Sequence, residues 1–75
     1  MKLENVKVGQ TYRLGQRSLC FFPTGAKVVV KEVGTTSLVT GQFKPDWIVV
    51  GLVEEHELFH AKDKQVVEAH ELEEL

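Results

Sequence analysis

Two β-branched runs constrain this chain most: AKVVVKEVG at 26–34 and DWIVVGLV at 46–53. Each is strand-sized, and each is set off by glycine or proline. Such runs favour a pleated surface over a helix, because branching at Cβ restricts the side chain in a helical turn. VKVGQTYRLG before them and TTSLVTGQF between them have the same strand character. The expected turns have a mechanism. In FFPTGAK, Pro23 fixes φ and Gly25 permits a positive one; in KPDW, Pro45 sets φ and Asp46 bonds the backbone beyond it. Four or five short strands within about 55 residues are the pattern of a small all-β domain. With 75 residues there is room for one small core. A strongly bent barrel is the expected solution, since near-closure protects the sheet edges. The apolar residues of KVVVKEV do not alternate cleanly, which leaves the strand register open.

The order VKVGQTYRL, PTGAKVVVKEV, SLVTG and WIVV, followed by EEHEL, resembles the small SH3-like or KOW-like barrels of bacterial and phage proteins. In those a Trp-bearing strand leads through a tight helical turn into a last strand. The resemblance spans about residues 5–61 and rests on strand order and turn placement. It implies a binding module, of the kind found as a bacterial or phage accessory protein, and it transfers no contact residue. The expected fold is mainly β: a barrel domain over 1–61 and an acidic extension over 62–75, packed on the barrel or flanking it.

The extension changes character. KDKQVVEAHELEEL is rich in adequate helix formers, and Asp63 suits an N-cap. Val66, Ala69, Leu72 and Leu75 recur every three residues, a stripe that drifts around a helix. A short helix is the expectation. The rival is a hairpin of ELFHA and QVVEA joined at KDK.

Charge divides the same way. Residues 1–50 hold seven Lys/Arg and three Asp/Glu, a balance of +4; residues 51–75 hold two and eight, a balance of −6. The cations Lys7, Arg13, Arg17, Lys27 and Lys31 make nucleic-acid binding the alternative function, although they lack interleaved aromatics. The acidic end would then cover that basic face or imitate a nucleic acid. The single cysteine, Cys20, lies in the apolar LCFF and forms no internal disulfide, which fits a reducing, cytoplasmic setting. The N-terminal MKLENVKVGQTY has no apolar signal-peptide region, and the longest apolar stretch, WIVVGLV, is far short of a membrane span.

Within VEEHELFHA sits His56-Glu57-Leu58-Phe59-His60, the letters of the zinc-peptidase pattern H-E-x-x-H. In such a site two imidazoles four apart on one helical face bind the metal, and the glutamate acts as base. Three points weigh against a peptidase. As a helix, 52–61 scatters its apolar residues around the axis. The positions where an extended zinc motif needs Gly and a third His hold Asp63 and Val66. VEEHEL at 53–58 is also nearly repeated as VEAHEL at 67–72, without the second histidine, and that favours a shared structural unit with a solvated His-Glu pair. A metal site using His56 and His60 with His70 is the remaining option, and no cofactor is expected.

No phosphate loop or nucleophilic triad is present in the sequence. The expectation is therefore a non-enzymatic module acting by protein–protein contact, as monomer or homodimer. Tyr12, Phe43 and Trp47 are its candidate anchors, since large aromatics dominate interface energetics.

Overall fold

The computed structural model describes residues 1–15, 22–54 and 63–75. Arg17, Cys20, His56, Glu57 and His60 lie outside the described residues. A 3-10 turn at Leu3–Asn5 precedes β1 (Thr11–Leu14), β2 (Lys27–Thr36), β3 (Phe43–Leu52) and β4 (Lys64–Glu68). A second 3-10 turn, Ala69–Glu71, leads to β5 (Leu72–Glu73). The protein is mainly β. All five strands form one antiparallel sheet in the order β4-β3-β2-β1-β5.

Alternation along the strands sets the core. Tyr12 and Leu14, Val28 and Val30, and Ile48, Val50 and Leu52 are buried on one face. They meet as cross-strand pairs: Tyr12 with Val28, Val28 with Leu52, Val30 with Val50, and Ile48 with Val67. Val6, Phe22 and Leu72 complete the cluster. The imperfect alternation of KVVVKEV has a local cause. Val30 pairs with Val50 but Glu32 with Val49, so Lys31 is a bulged extra residue that resets the register. A second shift sets residues 45–47 of β3 against Gly34 alone, between the pairs Val33–Ile48 and Thr35–Lys44. The expected KPDW turn is this bulge inside β3, a place where proline costs no ladder bond. TTSLVTGQF is likewise not a strand throughout; its middle, 38–40, is the turn joining β2 to β3.

The C-terminal helix is not what forms. Residues 64–68 are β4, paired to β3 from Gly51–Lys64 to Trp47–Glu68. Val67 is fully buried against Ile48, so tertiary pairing overrides the helical composition around it. QVVE is extended, as the hairpin alternative required, and its described partner is β3; the other arm of that hairpin, ELFHA, lies outside the described residues. Asp63 precedes a strand rather than capping a helix.

Among the described residues, 64–73 thus supply both edges of the sheet. Among the described residues β4 and β5 do not pair with each other, so the sheet is not closed into a barrel. It is nevertheless strongly coiled. Only the 3-10 turn separates Glu68 on one edge from Leu72 on the other, and four residue steps reach at most about 14 Å. No helix among the described residues is long and apolar enough to cross a membrane.

Candidate functional site: the end of the long hairpin

β2 and β3 form a ten-residue-per-strand hairpin whose turn end projects from the sheet. Residues 33–43, VGTTSLVTGQF, contain no charged side chain in a chain that is 27% charged, so covering this segment desolvates no ion. At its apex Leu38 and Val39 are 102% and 95% exposed. Isolated exposed apolar residues are common, but two adjacent ones fully in water on a structured turn are not a packing result.

The turn is held from within. Ser37, itself buried, accepts on its hydroxyl the N–H groups of Val39 and Thr40, both at 3.3 Å. Gly41 N–H donates to the Ser37 carbonyl at 2.9 Å, and Ser37 N–H to that of Gln42 at 2.8 Å. Gln42 N–H donates to Thr40 Oγ1 at 3.3 Å. Gly41 takes φ +74°, which favours glycine. The N–H groups of residues 37 and 39–42 are therefore already bonded within the turn, which holds the Leu38 and Val39 side chains in place.

Phe43 lies at the same end and is 63% exposed. Its ring covers Gly34, approaching within 2.8 Å of where a Cβ would stand. Gly34 also has φ +86°, so both backbone and space require glycine there. Further along β3, half-buried Trp47 has the Lys44 ammonium 5.9 Å from its ring centroid. Opposite Trp47 stands Glu68, whose carboxylate is 3.3 Å from His70 Nδ1.

Of the three aromatic candidates, two belong to this hairpin and one does not. Tyr12 is 4% exposed, packed in the core as the cross-strand partner of Val28. Its hydroxyl donates to the Asn5 carbonyl at 3.3 Å and accepts Lys7 N–H at 3.1 Å. It ties the N-terminal segment to the sheet, and so it is a structural tyrosine rather than a surface anchor. Tyr12→Phe is expected to cost about 1 kcal/mol in denaturant unfolding.

Among the described residues the cations are not gathered into one stripe. Arg13 and Lys27 are cross-strand neighbours, but Glu73 flanks Arg13 on its other side. Lys31 stands apart at the bulge, and Lys7 lies on the segment before β1. Among the described residues no group of three His, Cys, Asp or Glu side chains is placed to hold a metal. His70 is exposed beside Glu68.

The repeated VEAHEL differs from its expected form. His70 is exposed, but Glu71 is fully buried rather than solvated, and its carboxylate accepts Glu68 N–H in a reciprocal capping arrangement. Leu38 and Val39 are the functional candidates that strand propensity concealed. Ser37, with hydroxyl reach to residues two and three ahead, was the available turn signal.

No family model, curated protein or solved structure matches this chain.

Proposed function

We propose that this chain is a non-enzymatic protein-binding module of SH3-like architecture, and that its contact is the end of the β2–β3 hairpin. The architecture is supported by the strand order and by the three-residue 3-10 link between the two edge strands. One observation carries the contact: Leu38 and Val39 stand fully exposed on a turn whose backbone is already hydrogen-bonded. Burying both gains about 3–6 kcal/mol before association costs. Phe43, Lys44 and Trp47 extend the surface along β3 as an amphipathic rim.

The test is capture of the partner from cells that make the protein, followed by titration with both components purified. The double variant Leu38→Asp/Val39→Asp should bind roughly a hundredfold more weakly, at unchanged thermal stability, because both positions are solvent-exposed. Undiminished affinity in the variant would overturn the assignment. So would hairpin-dependent flotation with lipid vesicles in place of a protein complex. Nucleic-acid binding that weakens steeply with salt and ignores the hairpin substitutions would also count against it.

A further inference from the structure

A second binding feature lies away from the hairpin, where β5 stops short. A cavity of about 600 Å3 sits between the Asn5–Lys7 segment, the Gly9–Tyr12 stretch that opens β1, and Glu74–Leu75. That volume is within the range of real ligand sites.

Among the described residues, the backbone around it is that of an unfinished strand pairing. Leu14 N–H reaches the Ala26 carbonyl at 2.8 Å, and Val30 N–H reaches that of Gln10 at 3.0 Å. The even positions of β1 therefore address β2, and the odd ones address the opposite side, since strand groups alternate. Gly15 confirms this, its N–H meeting the Glu71 carbonyl at 2.8 Å. Arg13 pairs with Glu73, and there the β1–β5 ladder ends. Thr11 is the next odd position. Continuing the register would set Leu75 opposite it, but Leu75 instead forms part of the cavity wall and is 61% exposed.

We propose that this lane accepts an extended peptide from a partner protein, added antiparallel to β1 beyond the end of β5. Main-chain bonds to Thr11 hold it in register, as in strand addition to a sheet edge. Charge sets its direction. Such a peptide has its N-terminal end beside Glu74 and its C-terminal end beside Lys7, both walls of the cavity. The matching segment is therefore basic first and acidic last. The β5 edge of a second copy fits less well, because Leu72-Glu73-Glu74 brings carboxylates to Glu74. Its β4 edge, Lys64–Glu68, runs basic to acidic, so pairing between copies is an outcome that sedimentation separates.

The probe is a blocked hexapeptide of alternating threonine and valine with lysine first and aspartate last, titrated into the isotope-labelled full chain by NMR. The expected result is shifts centred on Gln10, Thr11 and Glu74, with slowed exchange of the Thr11 amide. The charge-reversed peptide should bind about threefold to fivefold more weakly, and Lys7→Glu should abolish that preference. A central proline should weaken binding about tenfold or more, because it removes a ladder donor. Equal binding of the proline peptide overturns the proposal. So do shifts confined elsewhere, no shifts at millimolar peptide, or sedimentation showing that copies pair through these same amides. The Leu38→Asp/Val39→Asp variant should bind the hexapeptide normally, so failure of one site is separable from failure of the other.

Discussion

Ile48→Ala should cost about 2–5 kcal/mol, against a total stability of about 4–11 kcal/mol for a domain of this length. Ile48 is fully buried and sits where three strands meet, paired with Val67 on one side and Val33 on the other. Truncation removes its transfer free energy and leaves a cavity in a core that has few other side chains to collapse into it. The loss is read as a lowered midpoint in urea unfolding at unchanged slope. Val49→Ala is the internal control. Val49 is the next residue on β3 and points to the other face, where it is half-buried opposite Val66. Its truncation should cost no more than about 1.5 kcal/mol. Equal losses at the two positions would mean that the two faces of β3 are not divided as the pairing requires.

That division was partly legible in the residues themselves. The β-branched runs around Val28–Val30 and Ile48–Val50 announced β2 and β3, because propensity, burial and pairing agree there. The same agreement fails past Asp63. Val66 and Val67 are embedded among Glu, Lys, Ala and Leu, and only Ile48 and Val49 waiting on β3 make that segment a strand. No local signal carries a partner's position. The bulge at Lys31 is similar: the broken alternation was visible, but its cause is the matching register on β3. At the candidate site, aromatic type points to Phe43 and Trp47, and it points equally to Tyr12. Aromatic identity does not distinguish a core ring with two backbone partners from an exposed one. Leu38 and Val39 were hidden for the converse reason, since their strand propensity is spent on a turn that Ser37 organises.

Glu71→Ala should cost about 1–3 kcal/mol and act first on the edge of the sheet. Glu71 is a carboxylate at 0% exposure, in the turn that carries the chain from β4 to β5. Its side chain holds Glu68 N–H, and its carbonyl holds Gly15 N–H at 2.8 Å. Alanine keeps the carbonyl but strands the Glu68 donor and unlocks the turn. β5 has only two residues, so its place beside β1 depends on that turn more than on its own two pairs. Hydrogen exchange should therefore speed at Arg13 and Gly15 before it does at Val28 or Val50. Glu71→Gln retains an acceptor oxygen and should recover part of the loss. If exchange instead rose uniformly across the sheet, the turn would be an ordinary part of the cooperative core. If it rises at the edge alone, the β4–β5 turn is what fixes where β5 ends, and hence how much of β1 remains open at Thr11.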